Sequence, residues 1–445
     1  MKNHPDYGRV RRKRVGLVAR LPVMALAVTV TPACEGLLEV APDPHYVDAS
    51  LNPAQLSETM VGALVDLNFA YDVWMYETNM FSGGMVALGL LRYTQSLRQQ
   101  DRGGGQAGGL TGGGRDRRGP GVAYYAFLQQ AIASSHAAQE RILAGEFETI
   151  SNPSSSAEFA RVSVYNGFGL LWLADFYCEF VLYGEGPVHS SRRGYEMAAE
   201  QFEAARAASG AEEEIRLAAT AGLARVNRLL GNDAQAVQYA SQVPADFQFH
   251  ATYSTNTFEQ TNRIWFRTWG FGEHSVSPAF LNLTIDDTGM PDPRTATVHN
   301  PVPPRGDFFD VHAPVKVPSG SSPLIITSGV EMQYILAEAA LGMMQYDRAV
   351  EIINEVRAMR GVGVEWTPMD MMSAAEIATK LVDERRRTML FEGTLMGDTR
   401  MYKDRFGLDL FHTQVPQGID VGTETCRALP QREIDNIPGL QVTGE

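Results

Sequence analysis

Carboxylates and guanidiniums crowd the C-terminal part of this 445-residue chain, where Glu384, Glu392 and Asp398 lie among Arg385, Arg386, Arg387 and Arg400. Two carboxyl groups about 5 to 10 Å apart suffice for glycoside hydrolysis, provided that one keeps its proton. Acids beside guanidiniums are held ionised instead, so these groups read as ion-pair scaffolding. The nine histidines stand apart, at positions 4, 45, 136, 189, 250, 274, 299, 312 and 412, with no i, i+4 pair and no HExxH, which leaves zinc hydrolysis unsupported. A GxSxG nucleophile elbow is also missing. Asp286-Asp287-Thr288-Gly289 lacks the alternating oxygen ligands and closing glutamate of a calcium loop. Gly103, Gly105 and Gly108 spell GxGxxG, but no strand pattern precedes them and no Lys-Ser/Thr follows, so a loop is expected rather than a nucleotide site. The sequence thus offers no catalytic residue, no metal site and no cofactor site.

Aromatic chemistry is the richer signal. Between Pro244 and Pro323 the helical period fades, and Pro, Gly, Thr and Asn alternate with Tyr253, Phe258, Trp265, Phe266, Trp269, Phe271, His274 and Phe280. A loop-rich stretch this long inside a compact protein is usually functional or contains short strands. Flat rings stack on the C–H faces of sugars while nearby polar groups fix hydroxyls. Trp265, Trp269 and Phe271, with Asn262, Arg267 and His274 interspersed and Tyr253 upstream, are therefore candidate ligand contacts. Trp74 and Tyr76 form a second candidate cluster. The competing reading is that these rings pack the insertion onto the helices.

The elements that must carry this insertion are helical. Helix-like patterning runs from Ala54 to Phe81 and resumes at Ala123. Tyr165, Phe168, Trp172, Phe176 and Phe180 recur at three- and four-residue steps and predict one aromatic stripe along a helix. Further helices are predicted over Tyr195 to Ala208, Glu213 to Leu230, Ala234 to Gln242, Val330 to Met343, Tyr346 to Arg360 and Ala374 to Glu392. Leu230-Gly231-Asn232-Asp233-Ala234 and Met343-Met344-Gln345-Tyr346-Asp347 are similar polar turns, each leading into an Ala-Val helix start, which is the logic of tetratricopeptide pairs without their regular 34-residue period. Cys178, within the aromatic helix, reads as a small hydrophobe more readily than as a nucleophile.

With 44% hydrophobic and 20% charged residues the chain is globular in composition. Residues 1 to 33 hold seven basic residues and one acid, so without them the chain carries six more negative charges than the formal −14 of the whole. So acidic a surface repels phosphate backbones and anionic headgroups; nucleic-acid binding is not expected, and membrane contact must come from an anchor. The basic start leads into the apolar run Leu21 to Val30 and then Thr31-Pro32-Ala33-Cys34, a secretory signal followed by a lipobox-like cysteine. Residues 1–33 are expected to be the signal peptide, 34–53 a lipidated tether starting at Cys34, and 54–445 one helical domain with its insertion at about 244–323. No later run reaches the roughly 18 apolar residues of a membrane helix. Cys178 and Cys426 remain, free to pair or not.

Several segments, in order, resemble the SusD/RagB-like outer-membrane lipoproteins. They are Asp292-Pro293-Arg294, Leu336-Ala337-Glu338-Ala339, Ala349-Val350 through Ile353-Asn354-Glu355-Val356-Arg357, Glu384-Arg385-Arg386 through Leu390-Phe391-Glu392-Gly393, Asp398, and the closing run Leu429 to Pro438. The lipobox-like N-terminus fits as well. Leu395 stands where an arginine is common, Thr388 replaces a usual glutamate, and Arg400 is one place from the expected arginine, which predicts a weakened ion-pair network. The resemblance implies a mainly α fold of irregular tetratricopeptide-like helical pairs, SusD-like, with a loop-rich insertion for ligand. It further implies a surface-exposed, lipid-anchored outer-membrane subunit that binds a nutrient, an oligosaccharide by preference, and delivers it to a SusC-like TonB-dependent transporter without catalysis. A tetratricopeptide-type envelope adaptor for protein assembly is the alternative, and a glycoside hydrolase ranks after that.

Overall fold

The computed structural model describes residues 55–87, 120–183, 185–300, 310–367, 373–410, 425–430 and 433–434. The signal sequence, Cys34, the tether and the glycine-rich run at 103–114 lie outside the described residues. The described part falls in one compact unit, Asn52–Glu445. Its centre is α3 (Ala157–Phe176), which is apolar almost all round and buried without a break from Val162 to Phe176, as such a helix must be. Around it pack α1 (Gln55–Ser82), α2 (Pro120–Leu143) and α4 (Ser191–Ala207). Serine side chains start two of these helices: Ser156 accepts the Phe159 N–H of α3, and Ser190 accepts the Arg193 N–H of α4. Two glycines set the spacing. A Cβ at Gly167 of α3 or at Gly222 of α5 (Glu213–Leu230) would come 2.7 or 2.6 Å from the Phe202 ring of α4, so that ring fills the space between the two backbones.

The aromatic stripe is shorter than its spacing predicts. Tyr165, Phe168, Trp172 and Phe176 lie on α3, but Phe180 belongs to β2 (Glu179–Leu182), which pairs antiparallel with β3 (Glu185–Ser190). The C-terminal segment interrupts the helix: Arg427 N donates to Phe176 O at 2.8 Å, Cys178 N donates to Arg427 O at 2.8 Å, and Cys178 is disulfide-bonded to Cys426. Cys178 is thus neither a nucleophile nor merely a small hydrophobe; it is one end of a covalent staple.

Two helix pairs continue the bundle, α5 with α6 (Asp233–Ala240) and α8 (Gly329–Gly342) with α9 (Tyr346–Met359). Their turns match bond for bond. Gly231 and Met344 both take left-handed backbone, with φ of 83° and 60°. Asn232 N donates to Asn227 O and Gln345 N to Ala340 O, each at 2.8 Å, closing the same Schellman-type cap. The two turns share this geometry although only one of them has glycine at the left-handed position.

α10 (Ala374–Thr388) opens on a capping box between Ser373 and Glu376. It stops at Thr388, short of the expected Glu392, because Phe391 and Gly393 take φ of 62° and 74° and turn the chain. Lys316 binds the freed Thr388 carbonyl at 2.6 Å and the Leu390 carbonyl at 3.1 Å, and Glu392 receives both Lys316 and Arg360. A further helix not expected from the sequence, α11 (Leu395–Phe406), follows.

Buried ion pairs join these helices. Arg228 of α5 meets Glu338 of α8 at 2.6 Å and Asp398 of α11 at 2.7 Å, and Arg385 of α10 meets the same Asp398 at 2.8 Å. Arg225 pairs with Glu331, while Glu384 receives Arg294 of the Asp-Pro-Arg turn and Arg357 of α9. The three departures from the family pattern do not weaken this network. Thr388 accepts from Arg294 at 3.2 Å and bonds the Tyr334 hydroxyl at 2.8 Å, Arg400 donates to the last carbonyls of α3, and Leu395 packs in the core.

The insertion is closed at its ends by antiparallel pairing of β4 (Gln248–Ala251) with β8 (Leu324–Ser328). Inside it, β5 (His274–Val276) pairs with β1 (Met85–Ala87), which follows α1, and β6 (Thr297–His299) pairs with β7 (His312–Pro314). Among the described residues no helix is long and apolar enough to cross a membrane.

Two sets of carboxyls respond to pH in opposite directions. Burial pushes Asp72 and Glu77 up to about 7 and Asp175 to about 6. Burial also opposes ionisation in the network, but Arg385 and Arg228 bring Asp398 down to about 2, Arg294 lowers Asp292 and Glu384, and Arg228 lowers Glu338. The raised set stabilises the fold when protonated, an effect fully present below the unfolded carboxyl range and lost as pH rises through 6 to 7. The lowered set stabilises above that range and loses its contribution as pH falls towards 2. Stability should therefore peak near pH 4 to 6, with a melting temperature at pH 5 above that at pH 8 by on the order of 5 °C; a melting temperature that is flat or rises over that interval contradicts neutral burial of the three acids. At the second helix turn, Met344 is largely exposed and strained by its positive φ. Met344→Gly should raise stability by about 0.5–1 kcal/mol in denaturant unfolding, and Gly231→Ala should lower it by about 1 kcal/mol.

Candidate functional site

Asn262 organises the aromatic part of the insertion. Its backbone N–H donates to Gly320 O at 2.9 Å, its side-chain amide donates to Ser322 O at 2.9 Å, and its side-chain oxygen accepts the Trp265 N–H at 3.1 Å. From this cap a single helical turn, α7 (Arg263–Trp265), runs directly into a wide π-type turn over Phe266–Gly270, closed by the Phe271 N–H on Phe266 O at 2.8 Å. Such wide turns recur at functional sites because they re-aim side chains. Here Arg263, Ile264, Arg267 and Thr268 face inward and are buried, while Trp265, Phe266, Trp269 and Phe271 remain half-buried on the other side.

The outward rings form a supported shelf. Phe266 meets Phe258 edge-on at 4.7 Å and Phe271 at 4.4 Å between centroids. Trp269 donates its indole N–H to Pro314 O at 3.3 Å, and the Asn300 amide binds the Thr268 and Trp269 carbonyls at 2.7 and 2.9 Å, so the β6–β7 hairpin holds that end. At the other end the backbone of Gly320 lies so near Trp265 that a Cβ there would come within 3.0 Å of the indole and of Thr255 and Thr261.

Behind the shelf lies a buried polar layer. Arg263 stacks against Phe69 and Phe258, at 5.0 and 5.3 Å from their centroids, and its backbone N–H donates to Asp72 at 2.8 Å. Arg267 lies over Tyr76 and Phe266 and is ion-paired with Glu273. Tyr76 bonds His274 Nε2 at 2.8 Å. Burial, reinforced by Arg267, drives the His274 pKa far down, so its imidazole is neutral.

Of the sequence-predicted contacts, Trp265, Trp269 and Phe271 are all half-buried around the wide turn: Trp265 packs against the main core, Trp269 is held by the β6–β7 hairpin and Phe271 meets Phe266. Tyr253 is half-buried at the border of the insertion and donates its hydroxyl to Asn68 O at 3.3 Å. Trp74, Tyr76 and His274 do not join the shelf: Trp74 stacks with Tyr71 and Trp172 and donates to Trp172 O at 3.0 Å, while Tyr76 and His274 are sealed behind Arg267. No ring face of these three is open to a ligand. Asn262 and Arg267, expected to fix hydroxyls, instead cap and support the shelf from within. Sequence reading passed over Phe266 as a shelf ring and Asp72 as its buttress. The i, i+4 spacing of Arg263 and Arg267 was the available sign of an inward polar face.

Half-buried rings beside a buried polar layer suit non-covalent stacking. Glu384 and Asp398 are buried, ionised and shared between guanidiniums, unlike a general acid. Glu392 is likewise held by Lys316 and Arg360. Among the described residues no group of three or more His, Cys, Asp or Glu could hold a metal ion.

No protein-family model matches the sequence, and no curated protein matches it. Solved structures do match. The surface glycan-binding protein A of Bacteroides uniformis aligns at a TM-score of 0.64 and 11% identity over 88% of this chain and 99% of that one. A SusD superfamily protein of Bacteroides fragilis aligns at 0.60 and 11% identity over the same shares, 88% and 99%. A SusD-like carbohydrate binding protein of Bacteroides vulgatus aligns at 0.57 and 14% identity, over 79% and 84%. With its helical pairs, its insertion and these likenesses along nearly its whole described length, the chain has the fold of the SusD superfamily.

Proposed function

We propose that this protein captures a glycan by non-covalent stacking on the Trp265, Phe266, Trp269 and Phe271 shelf and hands it to a SusC-like TonB-dependent transporter. It acts as a binding subunit rather than an enzyme. The observation that carries the reading is the shelf itself: four half-buried rings on and beside one wide turn present an apolar platform of the kind that receives sugar faces. The fold adds support, since proteins of the same architecture are described as carbohydrate-binding and surface glycan-binding. In this reading the protein resides at the outer membrane, lipid-anchored through Cys34 and surface-exposed, with no other contact to the bilayer. One acyl chain binds membranes only marginally, so firm residence requires more than one on Cys34.

Two measurements test the proposal. Calorimetric titration of the mature protein against a broad glycan panel should find a binder, and Trp269→Ala or Trp265→Ala should weaken it at least about tenfold, or 1.4 kcal/mol. Binding to peptides but to no glycan, or glycan binding indifferent to both tryptophans, overturns the ligand assignment. For the anchor, labelled fatty acid should enter the wild-type chain and a large TonB-dependent barrel should co-purify from detergent extracts. Cys34→Ala should abolish the label and release the protein from the membrane fraction; unchanged membrane residence counts against lipid anchoring.

A further inference from the structure

The first residue of the shelf's helical turn is tied to α1 by a single carboxylate. Asp72, on α1 and without solvent exposure, accepts the backbone N–H of Arg263, the first residue of α7, at 2.8 Å through Oδ1. Its other oxygen, Oδ2, lies 3.6 Å from Arg263 Nε. Neither of those last two atoms has a hydrogen-bond partner. Among the described residues Asp72 is the only carboxylate within ion-pair distance of Arg263. The guanidinium is otherwise flanked by rings, Phe69 of α1 on one side and Phe258 of the insertion on the other. The polar link between α1 and Arg263 is therefore this one carboxylate. A neutral carboxyl could still accept the N–H and eases the burial of Asp72 itself, which favours the fold as a whole, but it no longer counters the charge of Arg263, and that contact alone is weakened.

We propose that Asp72 is the positioning residue of the shelf: its ionised carboxylate fixes Arg263, hence the orientation of the Trp265 and Trp269 rings, so that ligand binding strengthens as Asp72 loses its proton. This rests on the shelf being the glycan site. Burial raises Asp72 to about 7, which puts the change within ordinary buffer conditions. The groups facing Asp72 do not themselves ionise there. Tyr71 on the same helix and Tyr253 from the segment after β4 are pushed well above 10 by burial. Glu77, further along α1, titrates in the same range; it bonds Tyr124 of α2, and Arg427, Arg267 and then Arg263 act on it less strongly. His274, packed against Arg267, is neutral throughout.

The test joins a ligand arm and a ligand-free arm. In the first, glycan affinity is measured from pH 5.5 to 8.5 for the wild type, Asp72→Asn and Glu77→Gln. Wild-type affinity should rise about tenfold, Asp72→Asn should stay at the low-pH value throughout, and Glu77→Gln should keep the wild-type profile. In the second, amide hydrogen exchange over residues 263–271 of the ligand-free protein should quicken at least about tenfold in Asp72→Asn, with the interior of α5 unchanged. Should that variant not fold, the same amides in the wild type, corrected for intrinsic exchange, should be better protected at pH 8 than at pH 6. A pH profile that survives in Asp72→Asn, or moves with Glu77→Gln instead, overturns the assignment to Asp72. So does unchanged protection of the shelf. If the wild type binds no glycan at any pH, the proposed function fails, and exchange alone then decides whether Asp72 positions the shelf.

Discussion

Asp398 accepts two guanidiniums, Arg228 from α5 and Arg385 from α10, at a point almost closed to water. Arg228 also holds Glu338 of α8 through two bonds, which the Tyr402 hydroxyl extends by a third at 2.6 Å. Taking such charges out of water costs several kcal/mol per ion and is offset only where nearly every lone pair and proton finds a partner. That demand makes the arrangement singular. Sliding α10 by one turn would take Glu384 from Arg294 and Arg357 and part Arg385 from Asp398, so the network sets the register of α10 against its neighbours.

The same logic reaches the insertion. Arg294 belongs to the short turn that Asp292 caps, yet it is bound by Glu384 of α10, which also receives Arg357 of α9. One end of the loop-rich segment is thus welded to the helical frame by fully buried charges, and the β4–β8 pair closes both ends. The shelf is held differently. Asp72 and Arg263 make one backbone hydrogen bond and a 3.6 Å charge contact. The frame resists change over most of the pH range, whereas burial brings the carboxyl beside Arg263 up to about 7.

Much of the frame was legible in the sequence because helix period and charge pairing are local or nearly so. The α5–α6 and α8–α9 turns could be matched by residue order alone, and the arginine-flanked acids announced themselves as ion pairs. What escaped depended on partners distant in sequence. Phe180 continues the i, i+4 rhythm of α3, but a segment about 250 residues away takes the place of the next turn, bringing Cys426 to Cys178. Trp74, Tyr76 and His274 have the composition of a binding cluster, and nothing in their spacing says that α1 turns those faces towards α3 and β5. The π-type turn left no composition signal either, since Phe-Arg-Thr-Trp-Gly fits an ordinary helix end.

Recognition by ring faces also bears on why the fold can persist at 11 to 14% identity to its structural neighbours. Stacking asks for a flat apolar surface at a fixed height and angle, not for a set of acids with tuned proton affinities. A frame that fixes helix register through a few buried ion pairs can present such a surface on an insertion whose own sequence is free to differ. The polar chemistry of this protein is accordingly spent beneath the surface. Arg263, Arg267, Asp72 and Glu273 orient rings rather than meet ligand, and the carboxylates best placed to act as acids are consumed by guanidiniums. Geometry is supplied from behind the shelf, where water does not compete, and the face left to the ligand is largely aromatic.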